Sequence, residues 1–228
     1  ARLMKKVGPE AVAEFAYRMG IKTELDAVPA LALGTTDLTV LELTNAYSTF
    51  ANQGNYIQPI GIIRIEDKAG NVLADFTPQP QKVLSDEYAF LIVELLKGVV
   101  NQGTGQRLRF RYKFDNEIGG KTGTTQNQSD GWFMGITPNL ATGVWVGHAD
   151  RRMHFRSIKY GQGANMALPI WALYMKGVYE DPSIGLPKEP FERPPGLDVY
   201  LACKETGQDR ETGEEDGLPT ADDFDEFQ

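Results

Sequence analysis

The 228-residue sequence has few of the side chains that most often mark an active site: one cysteine (Cys203), two histidines (His148 and His154) and five serines. A single cysteine cannot close an internal disulfide, so the redox compartment stays open. No serine lies in a nucleophile elbow, so neither histidine belongs to a recognisable Ser-His-Asp arrangement. Both histidines are read as structural, and no metal, cofactor or nucleic-acid partner is expected. No apolar run approaches the ~18 residues that cross a bilayer, and no leader-like stretch opens the chain, which is expected to be soluble as it stands.

Net acidity is absent until the end. Residues 204–228 hold ten carboxylates against Lys204 and Arg210, whereas the preceding 203 residues hold 21 charges of each sign. The net charge of −8 therefore belongs to the tail. With runs such as Glu214-Glu215-Asp216 and few apolar residues, that tail is expected to be disordered or loosely docked, a solubilising terminus. Phe224 and Phe227 keep a partner contact open. Proline density across residues 181–203 reads as a stiff linker. Residues 1–180 remain as one domain, long enough for a sizeable core.

What the sequence does have is Gly119-Gly120-Lys121-Thr122-Gly123-Thr124-Thr125. Glycine lets another backbone come close, lysine places a cation on a flexible stem, and threonine hydroxyls donate at short range. That combination suits an oxyanion or a carboxylate. A nucleotide phosphate loop is excluded on two counts: its first glycine would fall on Asp115, and no helix follows the lysine. Instead, Trp132 to Thr137 and Val144 to Val146 are aromatic and β-branched runs divided by Pro138-Asn139, an antiparallel meander.

Around it, apolar spacing predicts a helix over Ala11–Met19 with Val12, Phe15, Ala16 and Met19 on one face. A second should start at the N-cap Thr39, with Glu42 three residues on, and stop at Gly54. A hairpin is expected between Gln58 and Phe76, turning at Asp67–Asn71. A third helix is expected after Ser85, burying Phe90, Leu91, Val93, Leu95 and Val99. Gly103-Thr104-Gly105 would stop it and could also shape a cleft wall. Arg107 to Phe114 alternates cation and apolar residue, which in a strand puts four cations on one face of an outward-facing edge. Ala149–Ile158 is a basic loop, and Leu168–Met175 is a final helix.

The Lys121-Thr122-Gly123 box and the Asp130-Gly131-Trp132-Phe133-Met134-Gly135-Ile136-Thr137-Pro138 strand occur in order with three upstream blocks. These are Leu31-Ala32-Leu33-Gly34-Thr35, Phe50-Ala51-Asn52-Gln53-Gly54 and Gly103-Thr104-Gly105. In this the chain resembles the transpeptidase domain of class A penicillin-binding proteins over about residues 1 to 176. The resemblance implies an α/β (α+β) fold: an antiparallel sheet flanked by helices, β-lactamase/transpeptidase-like, and incomplete without the preceding segment. It implies a peptidoglycan D,D-transpeptidase that cross-links stem peptides through a serine acyl-enzyme and is acylated by β-lactams. Lys121 would supply positive charge beside the nucleophile and the substrate carboxylate, and Thr122 and Thr124 would bind that carboxylate. The Thr124 N–H would form half of the oxyanion hole, with Gly123 and Thr125 completing the substrate-binding stretch. None of Ser48, Ser85, Ser129, Ser157 and Ser183 is followed by lysine three residues on or asparagine two on, so the family's S-x-x-K serine and S-x-N box are absent. The chain is thus expected to be the C-terminal portion of the domain, stable beside its missing N-terminal half. The alternative is a non-catalytic β-lactam-sensing or scaffold domain with a retained binding box. Class A membership further implies an upstream glycosyltransferase domain, a membrane anchor and an extracytoplasmic, periplasmic-side location.

Overall fold

A computed structural model describes residues 2–197, so the acidic tail and the last residues of the proline-rich stretch lie outside the described residues. Helices α1 (Arg2–Val7) and α2 (Pro9–Arg18) lead through a 3-10 turn at Pro29–Leu33 to α3 (Val40–Ala51). Short strands β1 (Asn55–Tyr56), β2 (Arg64–Glu66), β3 (Val72–Asp75) and β4 (Gln81–Lys82) follow, β1 pairing with β4 and β2 with β3. Then come α4 (Asp86–Gln102), α5 (Arg107–Phe110) and the central strands β5 (Gly119–Thr124), β6 (Asp130–Thr137) and β7 (Leu140–Gly147). The short α6 (Ile158–Gly161) and the long α7 (Gly163–Glu180) close the order.

Local signals hold where they are backed by hydrogen bonds. Thr39 caps α3: its hydroxyl accepts from the Glu42 N–H at 3.1 Å, and Glu42 Oε2 accepts from the Thr39 N–H at 3.2 Å. Glu42 Oε1 also accepts from the backbone N–H groups of Lys22 and Thr23, both at 2.8 Å, tying the α2–α3 connection to the helix. These bonds, the Thr39 side chain foremost, stabilise the carboxylate and bring its pKa from 4.5 down to about 2. Because the folded value is depressed, this stabilisation is present above the unfolded pKa and fades as pH falls through 4.5 towards 2. Glu42→Ala is expected to cost about 1 kcal/mol at neutral pH, as loss of a cap does. The deficit should shrink in thermal melts taken below pH 4, and a pH-independent deficit would rule out the carboxylate as its source.

Two readings are corrected. The buried face of α4 is Ala89, Val93, Leu96 and Val100, while Leu95 is 60% exposed. The helix is rotated so that Val93 and Leu96 meet Ile136 of β6. Arg107–Phe110 is not a strand but one helical turn. Leu108 is fully buried among Val100, Phe114 and Trp171, and Arg109 donates to Asn101 Oδ1 (2.9 Å), Phe114 O (3.0 Å) and Asn116 O (2.6 Å). With one apolar anchor and carbonyls waiting to be satisfied, the segment reverses direction instead of pairing, and its cations part company.

The meander is as the pattern requires. In the sheet order β5-β6-β7, Gly119 pairs with Ile136 and Thr124 with Gly131, while Asp130 pairs with Gly147 and Thr137 with Leu140. Alternation sends Phe133 towards α7, where its ring meets Trp171 edge-on at 5.3 Å, and sends Met134 and Ile136 towards α3 and α4. Glycine is required where α7 packs on β6: a Cβ on Gly135 would lie 2.4 Å from the Trp171 ring. Residues 181–197 form no helix or strand, yet Phe191 is buried with Val93, Leu96 and Ile136, its N–H donating to Glu117 Oε2 at 2.9 Å.

Candidate active site

Among the described residues, strand β5 lies at the edge of the sheet and pairs only with β6. The Thr125 N–H donates inward to Asp130 O at 3.2 Å. In an antiparallel ladder successive residues turn their amide groups to opposite sides, so the N–H and C=O of Thr124 and Thr122 face the free edge. Lys121 occupies that edge, its Nζ donating to Thr122 O at 2.6 Å.

Each residue singled out from the sequence has a defined place. The side chains of Thr122 and Thr124 share one face of β5. Thr122 Oγ1 is 2.7 Å from Thr104 Oγ1, and Thr124 Oγ1 accepts from the Gly163 N–H at 3.0 Å. Gly123 lies on the other face, where a Cβ would come 3.1 Å from Trp132 Cβ. Thr125 turns away into the β5–β6 connection: its Oγ1 is 2.9 Å from Ser129 Oγ and accepts from the Asp130 N–H at 3.0 Å. Of the five, then, Thr122 and Thr124 share a cavity, Lys121 borders the strand edge, and Thr125 secures the turn.

That cavity, about 200 Å³, is lined by Thr104, Arg107, Thr122, Thr124, Gln162, Ala164 and Asn165. Gly103-Thr104-Gly105 fills both roles considered for it. The Gly103 and Gly105 N–H groups both donate to Val99 O, ending α4, and Thr104 faces the cavity. Sequence reasoning missed Arg107, Gln162 and Asn165. The Gly161-Gln162-Gly163-Ala164 run was the available signal, because Gly163 sits where a Cβ would be 2.2 Å from Gly123 O. Asn165 Nδ2 donates to Lys159 O at 2.5 Å, leaving Oδ1 buried without a partner.

Neither histidine joins the site: His148 Nδ1 accepts from the Asp150 N–H, and His154 Nδ1 lies 3.0 Å from Phe155 O. None of the serines lines the cavity. Asp130, at the start of β6, is buried with Oδ1 unpartnered, and burial pushes its carboxyl above the usual range against the pull of Arg151. Among the described residues no cluster of histidine, cysteine, aspartate or glutamate could hold a metal ion.

An antiparallel sheet backed by helices, with a lysine- and threonine-bearing edge strand beside a polar cavity, is an α+β architecture of the β-lactamase-like class. A family model described as the penicillin binding protein transpeptidase domain matches residues 17–163. The chain belongs to that family and, by its relatives, to class A. Penicillin-binding protein 1A of Aquifex aeolicus is 39% identical over 193 residues, which is 85% of this chain and 25% of the relative. Penicillin-binding protein 2D of Bacillus subtilis is 33% identical over 208 residues, covering 88% of this chain and 28% of the relative. The chain thus spans about a quarter of the length of these curated relatives. Among solved structures, penicillin-binding protein 1A of Haemophilus influenzae superposes with a TM-score of 0.75 at 30% identity, over 85% of this chain and 34% of that one. The PonA1 protein of Mycobacterium tuberculosis in complex with penicillin V gives 0.71 at 25% identity, over 85% and 55%.

Proposed function

We propose that the chain is the C-terminal portion of a D,D-transpeptidase domain that cross-links peptidoglycan stem peptides through a serine acyl-enzyme and is acylated by β-lactams. The observation that carries this reading is strand β5, whose free edge offers the Thr124 amide and the Lys121 ammonium and whose face sets two threonine hydroxyls in one cavity. A donor peptide can add to that edge as a further strand, its backbone pairing with Thr122 and Thr124. Its terminal carboxylate meets the threonine hydroxyls and Lys121. The scissile carbonyl then lies at the Thr124 N–H, which stabilises the developing oxyanion; one such donor is worth roughly 2.7–4 kcal/mol in kcat.

The nucleophilic serine is assigned to a preceding segment, with its own N–H as the second donor of the oxyanion hole. Attack on the carbonyl carbon forms the ester and releases the terminal D-alanine as its amine. An acceptor amine then takes the acyl group and returns the proton to the serine oxygen. Several features are in keeping with a missing neighbour. Ile170, Leu173 and Tyr174 stand half-exposed or more on the outside of α7, and the outer edge of β7 has no partner among the described residues. Among the described residues no helix is long and apolar enough to cross a membrane. An anchor, a glycosyltransferase domain and an extracytoplasmic location are assigned to the rest of the full-length protein on the strength of its class A relatives.

The test is intact mass and fluorescent-penicillin labelling of the full-length protein. A stoichiometric adduct on one serine upstream of this chain is expected. Reversible binding without an adduct would instead establish the second reading, a β-lactam-sensing or scaffold domain, which the lack of any S-x-x-K serine within the chain keeps specific.

A further inference from the structure

We infer that Arg107 is a substrate-binding residue whose guanidinium holds the terminal carboxylate of the acyl donor together with Thr122 and Thr124; this deepens the function proposed above and rests on it. Among the described residues, Arg107 is the only charged one lining the cavity that the two threonines share. It makes one long hydrogen bond, from Nη1 to Ala164 O at 3.4 Å, and among the described residues no carboxylate lies within ion-pair distance of it. Arg109, two positions on, has three good oxygen acceptors by contrast. A half-buried guanidinium has five N–H donors and no acceptor, so one left largely unused beside a cavity is a receptor for an anion, and its planar fork suits a carboxylate.

The rest of the lining agrees in sign. Thr104 and Thr122 form a hydroxyl pair in which one hydrogen bonds within the pair and the other is left over. The Thr124 hydroxyl already accepts from the Gly163 N–H, so its own hydrogen is free to donate. Gln162 immediately precedes, and Ala164 lies in, the first turn of the 18-residue α7, whose positive end adds to the potential there. Asn165 Oδ1 is a buried acceptor left without a partner, and it suits an N–H of the donor rather than its carboxylate. Lys121 then approaches the anion from the strand edge and Arg107 from α5.

The experiment compares second-order acylation rates of the full-length protein with benzylpenicillin and with its methyl ester, which lacks the carboxylate. Arg107→Gln keeps a donor for Ala164 O and is expected to unfold at the wild-type temperature. Its acylation by benzylpenicillin should fall about 10- to 100-fold, the worth of a hydrogen bond to a charged group, while the rate with the ester stays unchanged. Arg107→Lys should recover part of the loss, since it keeps the charge without the fork. An equal fall with both reagents would make Arg107 structural and overturn the inference, as would no fall with either. If the wild type is acylated by neither reagent, the proposed function itself fails and the inference goes with it.

Discussion

Replacing Lys121 with alanine in the full-length protein should slow acylation by benzylpenicillin by about two orders of magnitude, the scale set by removing one preorganised donor from a developing anion. The fold should be indifferent, because Lys121 is exposed and, among the described residues, its ammonium is engaged only with Thr122 O. Lys159→Ala is the matched control. That side chain is exposed too, its Nζ lying 5.5 Å from the centre of the Tyr160 ring, and its loss should leave the rate unchanged. Lys121→Arg should also fail, because a planar fork cannot take the place of a compact ammonium along a strand edge. Equal acylation rates for Lys121→Ala and Lys159→Ala would refute the assignment of the strand edge as the donor site.

The largest effect on stability is expected at Gly163. A methyl group there would lie 2.2 Å from Gly123 O and 2.6 Å from Trp132 O, two backbone oxygens that no side-chain rotation can move. Gly163→Ala must lift the start of α7 from the sheet, at a cost of about 3 kcal/mol and a fall in Tm of roughly 6–12 °C. The same displacement removes the Gly163 N–H from Thr124 Oγ1, so penicillin labelling should fall with it. Gly177, in the same helix, has open space where its Cβ would be, and Gly177→Ala should stabilise by about 1 kcal/mol through helix propensity alone. An unchanged Tm for Gly163→Ala in a calorimetric scan would show that α7 does not press on β5 and β6 as tightly as these distances require.

Much of this protein is determined by short-range pattern. Thr39 and Glu42 specify a helix start because both halves of the capping box lie within four residues. Trp132 to Val146 specifies a meander because strand alternation and the Pro138-Asn139 turn are adjacent in the chain. The lysine–threonine stretch is likewise legible, since its chemistry sits in seven consecutive residues. The rotation of α4 was not, because its apolar residues cover more than one face and only the sheet selects which is buried. Arg107 to Phe114 shows the limit most clearly. Its alternating cations fit a strand, and the helical turn prevails only because Leu108 finds Trp171 and Arg109 finds the carbonyls of Phe114 and Asn116. What tertiary structure alone decided is the wall of the cavity. Thr104 and Arg107, from the stretch that leads from α4 into α5, and Asn165, from α7, reach Thr122 and Thr124 through contacts made across the fold, which no local periodicity encodes.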